Sequence, residues 1–333
     1  MSEHGSPGAH EPRAHEPCAD HPLPVRAGKA HGHDHAHGTA TGAHRGRLLV
    51  VLVVAVATAA LQLVGGLVSG SLALLADAGH VAGDAAGVAA ALVAATLAAR
   101  PATGARTYGL QRAEVLAALA NAVLLAAVGA WVLVEAVRRW DDPPEVSGGL
   151  VLVVALVGAA ANLGCLLLLR RGARESLNVR GAYLEVLGDL LGSAAVVAAA
   201  VVVALTGWSR ADVVASVAIG LMVLPRAWSL LRDVVDVLLE ATPRGVDLDH
   251  VRDHVRAVEG VVDVHDLHAW TITSGVPVLS AHVVVDARHL AEGRSGQVLD
   301  RLGQCLAGHF DVEHCTFQLE PVGHREHEAA HHA

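Results

Sequence analysis

His80 and Asp84 stand four residues apart in SLALLADAGHVAGDAAGVAAALVAATLAA, and Glu185 and Asp189 stand four apart in GAYLEVLGDLLGSAAVVAAAVVVAL. A histidine and three carboxylates are costly in stretches long enough to cross a bilayer, so each is a functional-site candidate by default. The i, i+4 spacing sets both members of a pair on one helix face, one turn apart. Two helices presenting such pairs to each other would make a four-ligand cage at mid-membrane depth. One imidazole nitrogen and three carboxylate oxygens suit a first-row divalent metal. A cation enters hydrocarbon only if ligands replace its water, and a transport site must also let it go. Carboxylates and histidine do both, because protons compete with the metal for the same atoms. The alternative for each pair is a hydrogen bond that packs helices. Asp77, three residues before His80, shares its helix face. It either orients His80 as an outer partner or lies near the outer interface as a helix-end charge.

The elements that must position these side chains are apolar runs. The chain has 333 residues, 53% of them hydrophobic and only 3% aromatic, and the apolar residues cluster between residues 47 and 232 as runs of Ala, Val, Leu and Gly. Six spans are predicted, at 48–69, 71–98, 113–137, 149–169, 181–205 and 211–231. Arginine sets their orientation. Arg45 and Arg47 precede the first span, Arg100, Arg106 and Arg112 fill the second connection, and Arg170, Arg171, Arg174 and Arg180 fill the fourth. Both termini are therefore expected on the cytoplasmic side of the cell (inner) membrane. Arg138 and Arg139 depart from this rule at the outer end of the third span, where Asp141, Asp142 and Glu145 follow at once. A formal net charge of −9 leaves no basic footprint for nucleic acid. The four cysteines are scattered and form neither a disulfide framework nor a thiolate zinc knuckle.

Of 22 histidines, nine lie in residues 1–44 and twelve after residue 249, so His80 stands alone among the spans. Residues 1–44, with HGHDHAH at 31–37, read as a disordered His-rich cytoplasmic tail and not as a signal peptide; the tract either captures metal loosely or only solubilises. Residues 45–242 form the six-span transport domain. Residues 243–321 read as an α+β domain in the order αββαβ: a helix at 246–258, strands VVDVHDLHAWTIT and VPVLSAHVVVD joined near Ser274-Gly275, a helix at 295–309 and a last strand, HCTFQLE. Residues 322–333 are a second His-rich tail. His265, His282, His314 and Glu320 fall on three strands that should be neighbours, with His265 facing His282 across the hairpin. They are either metal ligands or surface residues. His268, three residues from His265, is expected on the opposite face. His250 and His254 are i, i+4 on a helix, where a solvated face is the plainer reading.

The segments GSLALLADAGHVAGD, YGLQRAEVLAALAN, NVRGAYLEVLGDLLGS, DVLLEATP and VVDVHDLHAWTITSG together resemble the cation diffusion facilitators, in particular their bacterial zinc-transporting branch. The resemblance runs from about residue 45 to residue 321. It implies a homodimer with six spans per subunit and a cytoplasmic metallochaperone-like domain. It implies export of a divalent metal, zinc first, by alternating access and metal:proton antiport, with no permanent cofactor and no enzymatic activity. The transport site is then His80, Asp84, Glu185 and Asp189, and the regulatory zinc site draws on His265, His282, His314 and Glu320. Glu185 departs from the family pattern, since the zinc branch usually has His there. A harder donor set moves preference toward cobalt, iron or manganese, with cadmium a further alternative. The loop ARPATGARTYGLQRAE lacks the Asp and His of a further metal site that some members carry.

Two rival classes remain. An intramembrane hydrolase would need HExxH or GxGD, but Val81 follows His80 and VLGD lacks the first glycine. A membrane-anchored metal sensor or buffer would bind without transporting, and metal flux separates it from a transporter.

Overall fold

The computed structural model describes residues 42–170, 177–273, 275–291, 293–309 and 314–327. The His-rich tract at 31–37 and the end of the second His-rich tail lie outside the described residues. Two compact units divide at residues 239 and 240.

The first unit holds six long helices: α1 (Gly42–Ser69), α2 (Leu72–Ala98), α3 (Ala113–Asp141), α4 (Gly148–Leu169), α5 (Leu177–Thr206) and α6 (Arg210–Leu238). Each contains a segment long and apolar enough to cross a membrane. α6 runs seven residues beyond the expected end of its span, because RDVVDVL continues the helical pattern after the uniformly apolar stretch stops. The helices pack α1 on α2 and α4, α3 on α2 and α6, and α5 on α2, α4 and α6. A shared core includes Leu74, Leu125, Val132, Val154, Val196, Ile219 and Val223. Many Leu and Val side chains stay exposed outside it, Leu67, Val137 and Leu205 among them, as lipid-facing residues of a bundle should.

Local chemistry fixes where α2 begins. Gly70, at φ +74, makes the tight reversal from α1. Ser71 caps the helix by accepting from the Leu74 N–H at 3.1 Å. Asp212, at the start of α6, completes the cap from another helix. Its carboxylate accepts from Ser71 Oγ at 2.5 Å and from the backbone N–H groups of Leu72 (2.7 Å) and Ala73 (3.3 Å). Arg139 donates to Glu135 at 2.9 Å and to the Gly70 carbonyl at 2.8 Å. An arginine at odds with the charge rule is thus compensated within the bundle.

The second unit is a three-stranded mixed sheet with helices. α7 (Leu248–Arg256) precedes β1 (Val261–Thr271) and β2 (Pro277–Val285); then come a short helix α8 (Ala287–Ala291), α9 (Ser295–His309) and β3 (His314–Pro321). β1 and β2 are antiparallel and β2 and β3 parallel, in the order β1-β2-β3. The αββαβ expectation holds, with α8 added where the chain leaves β2. Alternate residues of β2 (Leu279, Ala281, Val283 and Val285) pack with Val251 and Val255 of α7 and Val298, Leu302 and Leu306 of α9. The even-numbered residues of β2 and β3 lie on the other face, and that face carries His282 and His314.

Candidate metal centre

α2 and α5 face each other, and the i, i+4 pairs lie at their contact. His80 Nε2 lies 3.4 Å from Asp189 Oδ1 and 3.9 Å from Asp84 Oδ2. Three donor atoms of His80, Asp84 and Asp189 fall within 4.8 Å of one another. Donors 2.0–2.2 Å from a zinc-like ion stand roughly 3.3–3.6 Å apart in a tetrahedron, so this triad needs little closing. His80 is 3% exposed, and Asp189 Oδ1 is buried with no hydrogen-bond partner. An orphaned carboxylate oxygen beside a buried imidazole is what a cation would satisfy.

Glu185 does not join these three. Its Oε1 accepts from Arg226 Nη2 at 2.9 Å, while Arg226 Nη1 lies 3.3 Å from Asp84 Oδ2. Glu185 is about half exposed. The four-ligand cage therefore appears as a triad with Glu185 drawn aside by an ion pair, because α6 presents a fixed cation beside both carboxylates. Arg226 escaped the sequence reading. Its signal is a lone arginine inside an apolar span, in LMVLPRAWSL, on a helix that carries neither of the i, i+4 pairs.

Asp77 lies in the second turn of α2 and is fully buried, and His80 Nδ1 has no hydrogen-bond partner among the described residues. Its Oδ2 accepts from Gln62 Nε2 of α1 at 2.5 Å and from Ser193 Oγ of α5 at 3.0 Å. Ser193 Oγ in turn accepts from Asn162 Nδ2 of α4 at 3.4 Å. α1 and α4 pack close enough to supply these donors, which a reading confined to charged residues passes over.

In the second unit His265 pairs with His282 across β1 and β2. Their ring centroids are 5.3 Å apart. Glu320, 1% exposed, reaches both: His282 Nδ1 at 2.8 Å and His265 Nε2 at 3.4 Å. These three residues form a second compact donor group. His314 shares their face but pairs with Val278 at the other end of β3, roughly 20 Å along the strand from Glu320. The two ends of HCTFQLE fall in different rows of the sheet, and parallel pairing with β2 brings the Glu320 end beside His282.

His268 also differs from expectation. An irregularity between His265 and His268 sets His268 opposite Ser280, so it returns to the face of His282. Asp266, at φ +47, makes that bend. Its carboxylate meets His268 Nε2 at 2.8 Å and His282 Nε2 at 3.6 Å. His250 and His254 touch through their Nε2 atoms at 3.0 Å, with His254 buried, so their face is not simply solvated. Burial pushes the Cys315 thiol up from its ordinary range, which disfavours the thiolate a metal needs.

Comparison with known proteins agrees with this architecture. The cation efflux transmembrane domain family matches residues 48–239, and the cation efflux protein cytoplasmic domain family matches residues 243–322. The metal cation efflux system protein CzcD of Cupriavidus metallidurans is 42% identical over 81% of this chain and 85% of its own length. The zinc transporter ZitB of Escherichia coli is 38% identical over 78% and 82%. A cadmium, cobalt and zinc/H(+)-K(+) antiporter of Bacillus velezensis is 36% identical over 79% and 84%. A solved metal-bound C-terminal domain of the Cupriavidus CzcD transporter is 43% identical, covering 22% of this chain and 99% of that one with a TM-score of 0.21. Six apolar spans joined to a small mixed-sheet domain, with both family matches in register on the two units, make this chain a member of the cation diffusion facilitator family, a transporter and not an enzyme.

Proposed function

We propose that the chain exports a divalent metal cation, zinc first, in exchange for protons, as a homodimer with both termini in the cytoplasm. The observation that carries this reading is the triad of His80, Asp84 and Asp189 on two facing spans. One imidazole and two carboxylates bind a zinc-like ion and leave coordination positions open, which suits a cargo that must depart. Glu185 completes the set of four when it exchanges Arg226 for metal. Protons return to the same oxygens and nitrogen as the metal leaves, which is the coupling. Relatives named for zinc alone and for cadmium, cobalt and zinc support that order of metals, with harder cations behind.

The His265, His282 and Glu320 group serves as a cytoplasmic regulatory metal site, and the domain that carries it joins two copies of the chain. Uptake of zinc into proteoliposomes under an imposed proton gradient tests the reading. His80→Ala, Asp84→Ala and Asp189→Ala should each abolish it in protein that inserts normally. Metal binding without flux in the wild-type chain would favour a membrane-anchored sensor or buffer instead.

A further inference from the structure

Asp77 presents a problem that the metal triad does not solve. It is a fully buried carboxyl group within a membrane-spanning bundle, and its two hydrogen bonds come from neutral donors. Its Oδ1 is buried with no hydrogen-bond partner, and so is Gln62 Oε1 beside it. Gly192 lies directly against that oxygen, since a Cβ added there would stand 2.6 Å from Asp77 Oδ1. An ionised carboxylate without a compensating cation is far too costly in such surroundings.

The groups on every neighbouring element leave that charge uncompensated. On α6, Arg226 is engaged by Asp84 and Glu185, and Asp212 by Ser71 and the start of α2. On α3, Glu135 is paired with Arg139. On α5 the facing titratable group is Asp189, one turn from Ser193, and on α2 it is His80, one turn from Asp77 itself. On α1 and α4 the neighbouring polar residues are Gln62 and Asn162, with Cys165 the titratable group one turn on from Asn162.

Two rungs thus connect α2 and α5. Asp77 to Ser193 at 3.0 Å is one, and His80 to Asp189 at 3.4 Å is the other, about one helical turn (~5.4 Å) along. We propose that Asp77, held by Gln62 and Ser193, is a proton-binding site distinct from the metal ligands, carrying a proton when the triad holds no metal and releasing it when metal arrives. The proton neutralises the buried carboxyl group. A divalent cation one turn away supplies positive charge that stabilises the ionised form instead, so the two cations displace each other through space without sharing a ligand atom. A proton is favoured over an alkali ion because the hydrogen-bonded cluster of Asp77, Gln62, Ser193 and Asn162 leaves two oxygens without partners among the described residues, Asp77 Oδ1 and Gln62 Oε1. Desolvating an alkali ion takes a ring of oxygens.

The inference rests on the triad being the metal site, and one experiment separates the two. Infrared difference spectra of the full chain in lipid nanodiscs, metal-free against zinc-loaded, should show a protonated-carboxyl band that zinc removes. Asp77→Asn should lose one component of that absorption while the component from the triad carboxyls persists, still bind zinc, and release about one proton fewer per zinc bound. Ser193→Ala, a milder change, should keep the band and move it to higher frequency, as loss of a hydrogen bond to the carboxyl oxygen requires. It decides the matter if Asp77→Asn fails to fold. An absorption unchanged in every component in either folded variant, or zinc binding by the wild type with no such absorption, overturns the proton site and leaves the metal site standing. A band replaced by potassium as readily as by zinc overturns it in favour of an alkali-ion site. Failure of the wild type to bind zinc at all overturns the metal reading instead.

Discussion

Arg226 Nη2 lies 2.9 Å from Glu185 Oε1, so α6 places a permanent cation where the fourth ligand of a metal cage would otherwise turn inward. The guanidinium also meets Asp84 at 3.3 Å. Arg226 therefore competes with a divalent cation for two of the four candidate ligands. Arg226→Gln should tighten zinc binding about tenfold, or ~1.4 kcal/mol, and slow release. Calorimetry on the full chain measures the first effect and efflux kinetics the second. An unchanged Kd would mean that the arginine and the metal do not compete.

Glu185→His replaces a hard oxygen by a borderline nitrogen and removes the partner of Arg226. Selectivity should move toward zinc and cadmium and away from cobalt and manganese. Competitive flux of the four cations through both proteins reads this out. Identical selectivity would place Glu185 outside the metal's coordination sphere.

Asp212 should matter for stability and not for selectivity. Its carboxylate satisfies Ser71 Oγ and two backbone N–H groups at the start of α2, all buried. Asp212→Ala removes a cap and strands those donors, at a cost of about 2–3 kcal/mol. Thermal unfolding in detergent should show a lowered midpoint with the ratio of zinc to cadmium flux unchanged.

In the cytoplasmic unit, His265→Ala with His282→Ala should abolish metal binding by residues 243–322, whereas His314→Ala should leave it intact. The distance of His314 from Glu320 along β3 requires that difference. Equal losses from both variants, measured by calorimetry at neutral pH, would show that the three-residue group is not the site.

Asp263 gives that unit a small acid-sensitive contribution. Hydrogen bonds from Arg256 hold its carboxyl below the usual carboxylate range. A depressed folded value contributes stability above the unfolded pKa of about 3.9, and that contribution is lost as pH falls through the folded value. Both side chains are partly exposed, so solvent screening keeps it under ~1 kcal/mol. Arg256→Ala should raise the titration midpoint of Asp263 toward the ordinary value, read by carboxyl-carbon NMR. No change in midpoint would remove Arg256 as the cause.

The sequence by itself determined what depends on local pattern. Runs of apolar residues fix the six spans, because a bilayer admits only segments whose backbone bonds are internal. The i, i+4 spacing puts His80 with Asp84 and Glu185 with Asp189 on single faces, because helical geometry is the same in any fold. Period-2 alternation separates the core residues of β2, such as Leu279 and Val283, from His282. Tertiary structure decided what depends on which helices meet and in which register. That α6 sets Arg226 against Glu185, that α1 and α4 deliver Gln62 and Asn162 to the polar cluster around Asp77, and that Asp212 caps a helix 140 residues away are facts of packing between distant segments. One irregular residue pair in β1 returned His268 to the face that strict alternation denied it, and the parallel pairing of β3 with β2 set Glu320, and not His314, beside His282. Spacing along a chain fixes the direction of a side chain within its own element; only the partner element fixes what that side chain meets.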